Sequence, residues 1–324
     1  RTPGIEWEFL DEDTSPIHGD QLCDYDALLL LGSQIDAASV TENRRLSLIA
    51  RFGVGYDNVD VEACTHSGII VTITPNGVRR PVAIAALTYL LALSQKMLIK
   101  DSLVREGRWH ERMDHMGTGL SDRTVGLIGL GNIGRELSGL LQPFGVRLLA
   151  SDPRSSTYHA QQAGAELVDM GTLLRMSDFV IVCCELNSRT HHLIDADALS
   201  LMKESAYLIN VARGPIVDQR ALTHILQERR IAGAGLDVFE KEPIDPDDPL
   251  LELDNIIVSP HGLAWTDECF LGIGRNAVAA ICRLAAGRLP EFIVNPEAAR
   301  HQSMRDKLRI YAERYQPRRE RSES

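Results

Sequence analysis

Thr124-Val-Gly-Leu-Ile-Gly-Leu-Gly-Asn-Ile-Gly134 decides the fold. The first five residues read as a buried strand. The text then becomes G-x-G-x-x-G at the mouth of a helix. In that setting Gly129 allows a tight turn, Gly131 lets the backbone approach a pyrophosphate, and Gly134 lets the helix pack closely on the strand. Asn132 and Ile133 fill the loop, at a helix N-terminus whose free N–H groups favour phosphate oxygens. Asp152 stands eighteen residues past Gly134, at the end of the next strand. A carboxylate there accepts hydrogen bonds from the adenosine ribose and repels a 2′-phosphate. NAD is therefore the expected coenzyme. NADP is the lesser alternative, because Arg154 is near enough to hold that phosphate. The bland reading is a glycine-rich turn beside a surface aspartate.

Outward from this loop, short apolar runs alternate with longer amphipathic ones, the pattern of an α/β protein. Strands are expected at 27–31, 47–52 and 68–74, then at 124–128, 146–150, 178–183, 207–211, 235–238 and 256–259. Helices are expected at 81–99, with Pro81 at the start where its missing N–H costs nothing, at 100–115, from the phosphate loop to about 144, and at 267–288. The charged tail at 314–324 reads as frayed. The chain has 324 residues, about two domains' worth. The expected architecture is a dinucleotide-binding, doubly wound parallel sheet over 75–264, inserted in a discontinuous substrate domain formed by 1–74 and 265–324.

A formal charge of −11 argues against broad binding to a nucleic-acid backbone. No apolar run approaches the roughly eighteen residues of a membrane span. The six cysteines show no C-x-x-C spacing, and reduced thiols in a cytoplasmic protein are the simplest reading. Cys183 and Cys184 lie inside an apolar run, which fits core packing better than redox chemistry.

Three polar residues follow expected strands: Arg213, Glu242 and His261. In an open parallel sheet, ligands bind beyond the carboxyl ends of the strands. Five segments then carry a resemblance. They are Arg51-Phe-Gly-Val-Gly-Tyr-Asp-Asn-Val-Asp60, Val125-Gly-Leu-Ile-Gly-Leu-Gly-Asn-Ile-Gly134, Ile209-Asn-Val-Ala-Arg-Gly-Pro-Ile-Val-Asp218, Gly235-Leu-Asp-Val-Phe-Glu-Lys-Glu-Pro243 and Ser259-Pro-His261. Together and in this order they resemble the D-isomer-specific 2-hydroxyacid dehydrogenases, the family of D-3-phosphoglycerate dehydrogenase and glyoxylate/hydroxypyruvate reductase.

The resemblance implies two Rossmann-like domains, the substrate domain being flavodoxin-like, and hydride transfer between NAD and a D-2-hydroxy acid or its 2-keto acid. His261 would be the general acid and base, a task that suits a side chain whose free pKa is about 6.5. Glu242 would orient it and favour its charged form, and Arg213 would grip the substrate carboxylate. Of the two acids in Glu240-Lys-Glu242, the second matches the family position, and Glu240 reads as a surface residue. Coenzyme contacts carry over to Gly129, Gly131, Asn132, Ile133, Gly134, Asp152, Cys184, Glu185, Val211, Ala212 and Asp237, the last near the nicotinamide carboxamide. Val54 and Gly55 match the loop that offers backbone N–H groups to the substrate carboxylate. Asp57 and Asp60 read as caps. The resemblance also implies a homodimer, with 81–115 supplying much of the contact.

The chain departs from the family text in four places. It opens at what looks like the family's second strand, 5–10, and truncation of the record is the simplest account. Ile84 replaces an acid, and Arg79 and Arg80 stand just before it. These arginines are expected either to recognise a second anionic or polyhydroxy group on the substrate or to make interdomain ion pairs. Glu185 stands where relatives often carry proline, and an acid there also disfavours a 2′-phosphate. Trp265 follows His261 at an unusual spacing, as a candidate wall of the substrate pocket or a core or interface residue. A different class of reading is an NAD-sensing scaffold, because the C-terminal-binding-protein corepressors share this family's fold and catalytic residues. No metal site is expected.

Overall fold

The computed structural model describes residues 4–10, 14–41 and 45–314. The frayed-tail reading of 314–324 falls, apart from Arg314, outside them. In chain order the strands are β1 (Ala27–Leu30), β2 (Leu48–Arg51), β3 (Ile70–Thr72), β4 (Thr124–Ile128) and β5 (Arg147–Ser151), followed by β6 (Glu166–Leu167), β7 (Phe179–Val182), β8 (Tyr207–Asn210), β9 (Gly233–Leu236) and β10 (Ile256–Val258). The helices begin with α1 (Ala37–Val40), α2 (Val61–His66), α3 (Pro75–Ser94), α4 (Met97–Arg105), α5 (Asn132–Leu141) and α6 (Thr157–Gln162). They continue with α7 (Met170–Met176), α8 (Ala196–Ser200), α9 (Gln219–Gln227), α10 (Asp267–Ala285) and α11 (Gln302–Arg314).

The chain divides into two compact units, residues 1–78 with 267–324 and residues 79–266, so both cuts lie a few residues beyond 74 and 264. The first unit holds a parallel sheet in the order β1-β2-β3. One side of it packs Leu28, Leu30, Ile49 and Val71 with Val40 and Cys64, and another cluster joins Leu48, Ala50 and Ile70 to Ala277 and Leu284 of α10. Asp60 caps α2, its carboxylate accepting from Ala63 N at 2.9 Å. The strand expected at 5–10 is not formed. Trp7 and Phe9 lie exposed, edge to face at 5.7 Å, and no ladder pairs with that segment among the described residues.

The second unit holds a parallel sheet in the order β10-β9-β8-β7-β4-β5-β6. The chain starts in β4, moves outward through β5 and β6, then returns to β7 on the other side of β4. The order therefore reverses at β4, and in such sheets the crevice at the reversal takes the ligand. Strands β4, β7, β8 and β9 are buried throughout, which is why they read as unbroken apolar runs rather than alternations. Phe179 and Tyr207 stack at 5.4 Å between β7 and β8.

All four expected helices differ in their limits: α5 gives way to a 3-10 turn, Gln142–Phe144, α10 ends at Ala285 rather than 288, and the other two differ more. Pro81 does not open a helix, because α3 begins at Pro75 and carries Pro81 inside it. Pro75 supplies the helix-starting residue instead, and the ring of Pro81 costs one backbone hydrogen bond within the second turn. The helix expected at 100–115 is α4 followed by a separate 3-10 turn, Trp109–Met113, because Gly107, at φ 72°, breaks it. No single helix among the described residues is long and apolar enough to cross a membrane.

Candidate active site

The phosphate loop is built by close approach. Gly129 has φ 97°, and a Cβ there would lie 2.8 Å from the Cα of Cys184, so only glycine fits between the ends of β4 and β7. A Cβ at Gly134 would lie 2.4 Å from the Gly129 carbonyl oxygen, which places the first turn of α5 directly on the loop. Gly131 differs: nothing lies within 4 Å of the position its Cβ would take. That open face stands at the N-terminus of α5, where the N–H groups of the first turn have no helical acceptors. Asp152 is tied to the same loop. Its Oδ2 accepts from Leu130 N and its Oδ1 from Arg154 N, both at 2.8 Å. Each oxygen keeps a lone pair for a further donor. An open glycine face on a helix N-terminus with a carboxylate fixed beside it fits a dinucleotide.

Cys183 and Cys184 follow β7. Cys183 Sγ lies 3.1 Å from the Gly129 carbonyl oxygen. Burial pushes the Cys183 thiol well above its usual range, and burial likewise lifts Cys184 to about 11. Both are uncharged packing groups at neutral pH, inert as nucleophiles.

Arg213, Glu242 and His261 follow β8, β9 and β10, which are neighbours in the sheet, so the structure brings all three to one end of it. His261 Nδ1 meets Glu242 Oε2 at 2.7 Å. The other carboxylate oxygen, Oε1, accepts from Phe239 N at 3.0 Å, which fixes the acid's orientation. His261 has φ 51°, a left-handed conformation that costs a non-glycine residue about 1 kcal/mol or more and is tolerated where a side chain must be aimed. Burial pushes the Glu242 carboxyl up. The hydrogen bond from His261, the Phe239 N–H and the charges of His261 and Arg213 outweigh it and hold the group below the usual carboxylate range. Glu242 is therefore ionised at neutral pH. With Nδ1 engaged, the ring presents Nε2.

Residues of the quoted motifs also hold these turns in place, through hydrogen bonds that the motifs themselves do not spell out. Asn210 staples the turn before the arginine, its Nδ2 donating to Arg213 O and its Oδ1 accepting from Ala212 N, both at 3.0 Å. Val211 is buried, and the Ala212 carbonyl accepts from Arg213 Nη1 at 2.8 Å. Asp237 is buried and braces the histidine turn. Its Oδ1 accepts from the Ser259 hydroxyl, from Gly262 N at 3.0 Å and from Leu263 N at 3.1 Å. Tyr89 of α3 bonds Ser259 and donates to Leu236 O at 3.0 Å.

Glu240 is more than a surface acid. It pairs with His192 Nε2 at 2.7 Å and exchanges two 3.1 Å hydrogen bonds with Gln219, one through each residue's N–H. These bonds clamp the loop carrying Glu242 to the segment after Arg213.

Arg79 and Arg80 both bind Glu136 of α5, at 3.2 and 2.9 Å. This pairing lies within the second unit rather than between units, and it gives each guanidinium a carboxylate without any substrate group. Trp265 is 59% exposed and lies against Gly262, its ring 3.7 Å from where a Cβ on that glycine would stand. In the first unit, Gly53 has φ 138° and exchanges hydrogen bonds with Thr74, which holds the start of the Val54–Gly55 loop. No cluster of three or more histidine, cysteine or acidic side chains able to hold a metal occurs among the described residues.

The sequence model described as "D-isomer specific 2-hydroxyacid dehydrogenase, NAD binding domain" matches residues 87–262. The glyoxylate reductase of Korarchaeum cryptofilum is 38% identical over 281 residues, covering 86% of this chain and 85% of that protein. A crystal structure of a glyoxylate reductase from Paecilomyes thermophila superposes with a TM-score of 0.79 at 26% identity, over 86% of each chain. An acyclic imino acid reductase in complex with NADPH and D-Arg superposes equally well, with a TM-score of 0.79 at 26% identity over 85% of this chain and 87% of that one.

Proposed function

Because the chain belongs to the D-isomer specific 2-hydroxyacid dehydrogenase family and carries its NAD-binding domain, we propose that it interconverts a D-2-hydroxy acid and the 2-keto acid by hydride transfer. The observation that carries this reading is the 2.7 Å His261–Glu242 pair beside Arg213, at the same end of the sheet as the phosphate loop. Gly129, Gly131, Asn132, Ile133 and Gly134 would hold the coenzyme pyrophosphate, Asp152 and Glu185 its adenosine end, and Cys184, Val211, Ala212 and Asp237 the walls. Bound NADH supplies the hydride.

The chain's own residues do the rest. Ionised Glu242 holds the imidazole through Nδ1, so Nε2 carries the proton that goes to the carbonyl oxygen in reduction and receives it back in oxidation. Arg213 grips the substrate carboxylate with its planar fork and polarises the carbonyl. The resemblance assigns a carboxylate-binding role to the Val54 and Gly55 N–H groups, and Trp265 is a candidate pocket wall. The test is loss of NADH absorbance with a panel of 2-keto acids that includes glyoxylate and hydroxypyruvate, each repeated with NADPH. Turnover with one class supports the reading. Tight NADH binding with no turnover across the panel overturns it.

The carboxyl of Glu242 gives this reading a pH signature. Its folded pKa is depressed, so its pairing is intact above the ordinary carboxylate range and is lost as pH falls through that depressed value. Reduction is expected to show an acid limb there. Glu242→Gln does not titrate, so its profile lacks that limb, and its rate at neutral pH falls on the order of 10²-fold. A pH–rate series on both proteins checks this.

A homodimer and a cytoplasmic location belong to the same proposal. Met97, Leu98 and Val104 of α4, with Trp109, Met113 and Met116 after it, leave large apolar surfaces exposed, a pattern that marks association. All six cysteines are free, which fits a reducing compartment. Trp109→Glu with Met113→Glu is expected to shift the protein from dimer to monomer in sedimentation. A wild-type monomer overturns the dimer.

A further inference from the structure

One ion pair outside the catalytic trio sits where a coenzyme's charge would feel it. Arg154 comes two residues after Asp152, beyond β5, and Glu185 comes just after β7. Arg154 Nη1 meets Glu185 Oε2 at 3.2 Å. Because β5 and β7 flank β4, the pair spans the carboxyl end of the strand that feeds the phosphate loop. Both ends are anchored near their backbones. Arg154 N donates to Asp152 Oδ1 at 2.8 Å, and the Glu185 carbonyl accepts from Thr190 Oγ1 at 2.7 Å. The two side chains are 74% and 41% exposed. An ion pair that wet adds about 0–1 kcal/mol to stability, so the fold does not depend on it.

Resting on the NAD reading of Asp152, we infer that Glu185 is a coenzyme-specificity residue that acts by holding Arg154. The charges decide the argument. Asp152, Arg154 and Glu185 together give this rim a net charge of one negative unit, and its guanidinium is already engaged. A 2′-phosphate on a ribose held by Asp152 would add about two more negative charges. It would meet two carboxylates and a cation that has to leave its partner first.

Neutralising Glu185 changes both terms at once. The rim becomes neutral, and the fork of Arg154 is released for a phosphate, which it can bind through two parallel hydrogen bonds. The arginine is thus a latent phosphate ligand, and Glu185 is what keeps it latent. The NADPH-bound imino acid reductase shows that a closely superposable chain accommodates the phosphorylated coenzyme. On this view the exclusion of NADPH is electrostatic and local rather than a matter of space.

The experiment measures equilibrium binding of NADH and of NADPH, by nucleotide fluorescence at low salt, with no substrate present. It compares the unaltered protein, Glu185→Gln, Arg154→Gln and the double variant. The ratio Kd(NADPH)/Kd(NADH) is expected to fall about tenfold in Glu185→Gln, the scale of one unit charge removed at contact range in a wet site. It should not fall in Arg154→Gln, and the double variant should lose the gain. An unchanged ratio in Glu185→Gln, or a gain that survives in the double variant, overturns the inference, while the coenzyme reading stands as long as the unaltered protein binds NADH. If the unaltered protein binds neither nucleotide, the coenzyme assignment itself falls, and the inference with it.

Discussion

His261→Asn is expected to lower the rate of 2-keto acid reduction by about 10³-fold, with NADH binding retained. Asparagine keeps a polar side chain near Glu242 but has no proton to give at neutral pH. The loss should appear in kcat, because the proton moves only in the transition state, whereas Arg213 and not His261 is the group assigned to the substrate carboxylate. Arg213→Lys should behave differently, raising KM as well, since a point charge cannot reproduce the planar grip of a guanidinium. Steady-state kinetics on the two variants separate these roles. If His261→Asn lost less than tenfold, the proton would come from elsewhere and the 2.7 Å pair with Glu242 would be structural. Stability offers a further check. The left-handed backbone at His261 is strained, and asparagine tolerates φ near 51° better than most residues. The variant should therefore be no less stable than the parent while being nearly inactive.

What could be read from the text alone divides along the distance between interacting residues. β4 and its loop were legible to the residue, because a buried strand and three glycines at fixed spacing are local features. The strands before Arg213 and His261 were legible to within a residue, whereas the one before Glu242 is Gly233–Leu236 rather than 235–238, because Gly233 and Ala234 gave no apolar signal of their own. The groups that hold these side chains still were not legible. Tyr89 and Ser259 are 170 positions apart, and Asp237 reaches 25 and 26 positions ahead to Gly262 and Leu263. No periodicity encodes such pairs. Glu240 is exposed, as its place in a Glu-Lys-Glu run suggests, but its partners were not legible, because only the fold brings His192 and Gln219 to it. The ion pairing of Arg79 and Arg80 in α3 was one of two readings left open, and its partner could not be named, because Glu136 lies on a helix 56 residues away from Arg80. The segment 5–10 alternates as a strand does, yet a strand exists only where a neighbour accepts its hydrogen bonds.

Gly214→Ala tests whether the catalytic loops depend on that packing. A Cβ at Gly214 would stand 1.9 Å from the carbonyl carbon and oxygen of Phe239 and 2.4 Å from Glu240 N. These are backbone atoms, so no side-chain rotation relieves the clash, and one of two loops must move. One carries Arg213. The other carries Glu242, whose orientation depends on the Phe239 N–H. Overpacking of this kind costs about 3 kcal/mol, and a shift near 1 Å in a reacting group costs roughly 10²-fold in rate. Both losses are expected together in Gly214→Ala. Gly139, on α5, supplies the contrast. Nothing lies within 4 Å of its missing Cβ, so Gly139→Ala should raise stability by about 1 kcal/mol through helix propensity and leave the rate alone. Thermal unfolding and steady-state rates on the pair decide the matter. A Gly214→Ala protein that is destabilised yet fully active would mean the loops shift as one body, carrying Arg213 and Glu242 without changing the distance between them. In that case the hydrogen bonds that Glu240 makes to His192 and Gln219, rather than the glycine contact, would be what keeps the two loops in register.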